Sequence, residues 1–132
     1  MLTVVFSLNK ISFDAGVVSS PNYPDDYPNN IEKTETIQVE KGLIVSLQFT
    51  AFDIQHHHTC LYDHLTITDG DGTPLMERNC EEGLPPAITS TSNVVKLDFI
   101  TNCIFCHMTG WSINWAAVTP GLKALFDCTT KL

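Results

Sequence analysis

The feature that most constrains the fold is an alternation of apolar and polar residues with a period of two. Residues 43–52, LIVSLQFTAF, place Val45, Leu47 and Phe49 on one face of an extended segment and polar residues on the other. Such alternation predicts a β-strand with one buried face. The same pattern recurs in NVVKLDF (93–99) and GWSINWAAV (110–118), and more weakly in TETIQVE (34–40) and LTIT (65–68).

Turn-forming residues separate these segments. Lys41-Gly42 and Asp69-Gly70-Asp71-Gly72 tolerate positive φ, and Leu84-Pro85-Pro86 cannot extend a central strand. The DGDG segment lacks the later ligands of an EF-hand and is predicted to be a hairpin turn. No segment before the C-terminal tail has a helical period. The sequence therefore predicts an all-β sandwich.

Composition excludes several functional classes. The 132 residues carry a net charge of −8, and the seven Lys and Arg are scattered singly, so nucleic acid is not an expected partner. No apolar run approaches the roughly 18–20 residues that cross a bilayer. The opening MLTVVFSL has no basic residue before it and no cleavage site after it, so it indicates a first strand rather than an export signal.

The expected organisation is a single domain. Residues 1–15 form an N-terminal strand leading into it, residues 16–118 form the domain, and residues 119–132 form a tail or linker.

Two local motifs invite chemical interpretations. The segment CIFCH (103–107) fits the haem-attachment spacing but falls between two predicted strands, without a cavity for a porphyrin. His56 and His58 of HHHTC point the same way in an extended segment, a spacing suited to a transition metal, yet solvated loop histidines are the preferred interpretation. No nucleophile elbow, HExxH or phosphate-binding glycine loop occurs, so the domain is not expected to be an enzyme.

Several spaced segments together resemble a CUB domain. In order they are GVVSSPNYPDDYPNN, FTAFDI, CLYDHLTITDGDG, NC, ITSTSNVVKLDFITN and GWSINW, which run from about Gly16 to Trp115. The resemblance implies a compact sandwich of two antiparallel sheets in an extracellular setting. Such domains usually belong to a larger secreted or membrane-tethered protein.

The resemblance also implies a site for calcium. Its three acidic ligands carry over to Gln55, Asp63 and Asn102, so only Asp63 keeps its charge, and the tyrosine that supports the ligands carries over to Tyr27. Amide oxygens can ligate calcium, which leaves a weak site open. The alternative is a metal-free pocket in which the amides of Gln55 and Asn102 replace the ion by hydrogen bonds to each other and to Tyr27.

Five cysteines are an odd number for a disulfide framework, and their abundance favours an extracellular location. The resemblance pairs Cys60 with Cys80. Among the remaining three, Cys106–Cys128 is the preferred bridge, with the third thiol left free or bonded to another chain.

The function implied is a non-catalytic recognition module that binds a protein ligand through loops at one end of the sandwich. Asp53 and Asp63 would attract a lysine or arginine of the partner, while Tyr23 and Tyr27 would offer stacking area. The alternative is a structural domain cross-linked into an oligomer through its unpaired cysteine.

Overall fold

The described part of the chain contains eight β-strands, which form two antiparallel sheets of four strands each. A computed structural model describes residues 14–104 and 107–121. The strands are β1 (Ala15–Ser19), β2 (Ile31–Gln38), β3 (Ile44–Asp53), β4 (His64–Asp69), β5 (Pro74–Asn79), β6 (Ile88–Thr89), β7 (Val94–Thr101) and β8 (Gly110–Val118). One sheet has the order β1-β8-β3-β6 and the other β2-β7-β4-β5. The all-β, two-sheet prediction is confirmed.

The inner face of the first sheet is built by β3 and β8. Leu47 lies opposite Trp115 and Phe49 opposite Ile113 in the register of these strands. Val45, Leu47 and Phe49 are buried, as their alternation with polar residues predicts. A register shift between Phe49 and Ala51 marks an irregularity near the end of β3.

The second sheet supplies the opposite half of the core. Val95, Leu97 and Phe99 on β7 are buried, and so are Leu65 and Ile67 on β4. Leu65 pairs with Phe99 and Ile67 with Leu97, so these side chains lie on one face of the sheet. The two inner faces meet as one core, in which Phe99 of the second sheet packs edge-on against Trp111 of the first, with ring centroids 5.8 Å apart.

Three strands carry too little alternation to be predicted from the sequence. β1 and β6 are short, and β5 lies at an edge of its sheet with mostly exposed residues. The DGDG segment forms the turn between β4 and β5, as predicted. In this turn the Asp69 amide donates to the Thr73 carbonyl. The strand predicted for MLTVVFSL and most of the tail lie outside the described residues.

Three loops meet at one end of the sandwich, which we call the loop end. They are residues 20–30 between β1 and β2, 54–63 between β3 and β4, and 102–109 between β7 and β8. The strand pairing fixes this arrangement because Asp53 at the end of β3 lies opposite Gly110 at the start of β8. The predicted Cys60–Cys80 disulfide is present, with Cα atoms 5.4 Å apart, and joins one of these loops to the end of β5.

Candidate functional site

Tyr27 occupies the centre of the loop end. Its side chain is only 3% exposed, and its ring packs edge-on against Phe99 with centroids 5.1 Å apart. The Tyr27 amide donates to the carbonyl of Met108 in the neighbouring loop at 3.0 Å. The proline-rich segment around Tyr27 restricts the backbone, which lowers the entropy lost when the loop is ordered. The segment SPNYPDDYPNN therefore inserts an ordered tyrosine between the sheets.

The Asp63 carboxylate accepts hydrogen bonds from the other two loops of the loop end. It is fully buried, and its Oδ2 accepts a hydrogen bond from the Tyr27 hydroxyl at 2.7 Å. Its Oδ1 accepts from the backbone amides of Asn102 at 2.9 Å and Cys103 at 3.1 Å. Hydrogen bonds to an ionised acceptor are among the stronger kinds in proteins, so these three donors compensate the burial of the charge.

Gln55 and Asn102 lie beside Tyr27 and Asp63, as the resemblance predicts, but they contact them through backbone amides. The Gln55 amide N–H donates to the Tyr27 hydroxyl at 3.1 Å, and the Asn102 amide N–H donates to Asp63. Their side-chain amides point elsewhere: Gln55 Nε2 donates to the His56 carbonyl and Asn102 Nδ2 to the Leu61 carbonyl, both at 3.3 Å. The predicted hydrogen bonds among the side-chain amides are therefore replaced by main-chain bonds, which any residue type except proline could supply.

Burial shifts the pKa of two groups at the loop end, together with a hydrogen bond in one case and a nearby charge in the other. Burial, followed by the hydrogen bond to Asp63, raises the pKa of Tyr27 well above its usual range. Burial, followed by the positive charge of Arg78, lowers the pKa of His64. Tyr27 consequently remains a neutral hydrogen-bond donor over the whole physiological pH range.

Asp53 plays a different part from Asp63. It is exposed at the end of β3, and its Oδ2 accepts from the amide and the hydroxyl of Thr109, at 3.1 Å and 3.0 Å. Asp53 thus holds the third loop against β3 while its carboxylate remains in contact with solvent. Thr109 was not predicted as part of the site, because a single threonine in a loop carries no signal of a long-range partner.

The donor set at the loop end does not fit a resident calcium ion. Calcium usually takes about six to eight oxygen ligands, with several carboxylates among them. Asp63 is the one charged side chain of the three implied ligands, and both of its oxygens already accept hydrogen bonds. Across residues 14–104 and 107–121, no three His, Cys, Asp or Glu side chains are grouped to hold a metal ion.

Two of the residues predicted to contact a partner are inaccessible. Asp63 is fully buried and Tyr27 is 3% exposed, so neither can meet a cation or an aromatic group of another protein. The expectation that Asp63 attracts a partner's lysine or arginine is therefore wrong, because its charge is used inside the domain. The accessible acids of the loop end are Asp25, Asp26 and Asp53.

The histidines of HHHTC have neighbours of their own. His57 packs against His58 and Tyr62, with ring centroids 4.4 Å and 4.6 Å away, and its Nδ1 accepts from the Thr59 amide. His56 Nδ1 lies 3.3 Å from the carbonyl of Cys80. Hydrogen bonding and ring packing within the loop account for the position of His57, and the contact with Cys80 accounts for that of His56.

The cysteine assignments are settled in part. Cys60 and Cys80 are bonded to each other, and Cys103 is also disulfide-bonded. This leaves the preferred Cys106–Cys128 pairing without support, and both of those cysteines lie outside the described residues.

A second buried carboxylate, which the sequence interpretation treated only as part of a turn, lies at the other end of the sandwich. Asp69 is 3% exposed and accepts from the amides of Gly70, Thr91 and Ser92 and from the hydroxyls of Thr91 and Ser92. Burial acts to raise the pKa of Asp69, but the bonds from Ser92, Thr91 and Gly70 outweigh it and lower the pKa to about 2. The Asp69-Gly70 pair indicated a turn, but no local pattern predicts that Asp69 bonds Thr91 and Ser92, 22 and 23 positions away.

Comparison with known proteins defines the class to which this fold and loop end belong. A family model for the CUB domain matches residues 9–115, so the chain belongs to the CUB domain family. The family is one of interaction modules rather than catalysts.

Individual relatives and solved structures agree with this assignment. The chain is 32% identical to rat cubilin over 133 residues and 41% identical to mouse tolloid-like protein 1 over 95 residues. It covers 4% and 9% of those proteins, with 96% and 70% of its own length. The calcium-bound CUB2 domain of MASP-1 superposes with a TM-score of 0.70 at 31% identity, over 77% of this chain and 91% of that domain.

A further structural match is the full extracellular region of zebrafish Gpr126. It aligns with a TM-score of 0.68 at 27% identity, over 80% of this chain and 14% of that region. Among the described residues of the present chain, no helix has the length and apolarity to cross a membrane.

Proposed function

We propose that this domain is a non-catalytic extracellular recognition module, spanning residues 16–118, which binds a protein partner through its loop end. The partner would offer a lysine or arginine beside an apolar side chain. The proposal accords with the relatives, which include an extracellular region and proteins far longer than this chain.

The observation that carries the proposal is the composition of the exposed surface at the loop end. The three loops contain no Lys or Arg, while Asp25, Asp26 and Asp53 are exposed there. Leu61, Tyr62 and Ile104 are 54%, 50% and 68% exposed on the same loops. Acidic groups around exposed apolar and aromatic side chains complement a basic, partly apolar segment.

The loop end is also suited to recognition because it is held in place before a partner binds. The Cys60–Cys80 bridge, the Tyr27–Asp63 hydrogen bond and the Asp53–Thr109 bonds restrain its three loops. A pre-ordered surface loses less conformational entropy on binding than a flexible one.

A peptide array tests the proposal. The probes are peptides with a central Lys or Arg flanked by Leu or Phe, each compared with its Gln-substituted counterpart. We expect the domain to retain basic apolar peptides in a salt-sensitive manner, and Asp25→Asn/Asp26→Asn and Tyr62→Ser to lose them. The control variant Glu40→Gln/Asp71→Asn removes the same charge at the opposite end. Equal losses in both charge variants, or no loss in either, would contradict the assignment of the surface.

Neither alternative function is favoured by a specific observation. Covalent oligomerisation through an unpaired cysteine would depend on Cys106 or Cys128, which lie outside the described residues. A calcium-binding function would depend on Asp63, Gln55 and Asn102, whose donor set does not fit the ion.

A further inference from the structure

We propose that the loop end is ordered by the buried Asp63 network itself, and that its order and stability are independent of calcium. This sets the domain apart from the calcium-bound CUB2 domain of MASP-1, which shares its fold. The inference does not depend on which partner the loop end binds.

The first argument is the number of charges. Of the three positions that the family resemblance assigns to calcium ligands, Gln55 and Asn102 carry uncharged amides and only Asp63 carries a carboxyl group. The affinity of an oxygen site for calcium depends on its number of charged ligands. The nearby carboxylate of Asp53 is held by Thr109.

The second argument is that the buried charge is already compensated. The hydroxyl of Tyr27 and the amides of Asn102 and Cys103 donate three hydrogen bonds to Asp63. A buried carboxylate without such partners would require a cation or would take up a proton. The three hydrogen-bond donors therefore stabilise the buried carboxylate of Asp63, as a bound cation would otherwise do.

The third argument is that the network already joins all three loops. Tyr27 comes from residues 20–30, Gln55 and Asp63 from residues 54–63, and Asn102 and Cys103 from residues 102–109. Two further contacts support the same arrangement without involving Asp63. The Thr101 hydroxyl donates to the Pro28 carbonyl at 2.8 Å, and the Tyr27 amide donates to the Met108 carbonyl.

Thermal unfolding of the wild-type domain is the primary test. We expect its Tm to be the same within about 1 °C in EDTA and in about 5 mM CaCl2. A rise of several degrees in calcium, reversed by EDTA and absent with magnesium, would overturn the proposal.

Replacing the amides of Gln55 and Asn102 by carboxylates tests why the stability of the domain is independent of calcium. The variant Gln55→Glu/Asn102→Asp should acquire a calcium-dependent increase in Tm of at least about 3 °C. The control Gln38→Glu/Gln48→Glu adds two charges at exposed strand positions and should remain insensitive to calcium. A folded Gln55→Glu/Asn102→Asp variant that does not respond to calcium would contradict the role assigned to the two amides.

Removing the Tyr27 hydroxyl tests whether the hydrogen bonds to Asp63, rather than a calcium ion, stabilise the loop end. Tyr27→Phe removes the hydroxyl that bonds both Asp63 and the Gln55 amide, and it should lower the Tm by the same amount in calcium and in EDTA. Tyr62→Phe removes a hydroxyl from a half-exposed ring and should leave the Tm nearly unchanged. A Tyr27→Phe defect that calcium repairs, or an effect no larger than that of Tyr62→Phe, would overturn the proposal.

Discussion

At the scale of single residues, two buried carboxylates organise the two ends of the sandwich. Asp63 accepts three hydrogen bonds at the loop end, and Asp69 accepts five at the opposite end. Asp69 ties the turn after β4 to the segment between β6 and β7, which belong to different sheets. It therefore joins the end of β4 to the segment that leads from one sheet to the other, at the end opposite the loop end.

The contribution of Asp69 should depend on pH. Folding lowers its pKa from 3.8 to about 2, so the ionised carboxylate stabilises the native state fully above about pH 4, and this stabilisation is lost as the pH falls through about 2. The shift corresponds to roughly 2 kcal/mol. Urea unfolding of wild type and Asp69→Asn should differ by about this amount or more near pH 6, and the difference should shrink below pH 4. The exposed control Asp25→Asn should show a small difference at either pH, and a gap for Asp69→Asn that stays constant with pH would contradict the assignment.

Gly110 is the glycine whose replacement should cost most. Its φ is +92°, and an added Cβ would collide with the hydroxyl of Ser20, which accepts the Trp111 amide at 3.0 Å. We expect Gly110→Ala to lower the free energy of unfolding by about 2–4 kcal/mol.

Gly42 provides the matched control for that substitution. It has a similar φ of +98° but nothing within 4 Å of an added Cβ, so Gly42→Ala should cost only about 1–2 kcal/mol for the backbone strain. Chemical denaturation of both variants measures the difference. Equal costs would show that the contact with Ser20 has no effect.

At the scale of strands and loops, the sequence predicts those elements that bury one face. The alternation of apolar and polar residues is clear in β7, in β3 up to Phe49 and in β8 up to Trp115, because the inner residues of these strands fill the core between the sheets. β5 was not predicted because, as an edge strand, it buries little and begins at Pro74. β6 has only two residues, too few for any period to be detected.

The Cys60–Cys80 bridge restrains the loop between β3 and β4. It closes a segment with a sequence separation of 20, which by chain entropy is worth about 3 kcal/mol. The double variant Cys60→Ala/Cys80→Ala should therefore have a free energy of unfolding lower by about 3 kcal/mol, measured by chemical denaturation. A loss below about 1 kcal/mol would indicate that the hydrogen bonds of the loop end hold this loop without the bridge.

At the scale of the whole molecule, the sequence located the site better than it described the contacts. The family resemblance placed Tyr27, Gln55, Asp63 and Asn102 in one region, and the structure brings them together. It did not indicate that Gln55 and Asn102 act through backbone amides, because the donor that a loop presents depends on its exact conformation. The burial of Asp63 also depends on three loops closing over it, which no local pattern encodes.

Amide hydrogen exchange of the isotope-labelled domain tests most directly whether three loops are ordered on one buried carboxylate. The amides of Gln55, Asn102 and Cys103 each donate to the Tyr27–Asp63 pair. We predict that all three exchange slowly in EDTA, at rates that calcium does not change. Rapid exchange in EDTA, with protection appearing only when calcium is added, would contradict the account.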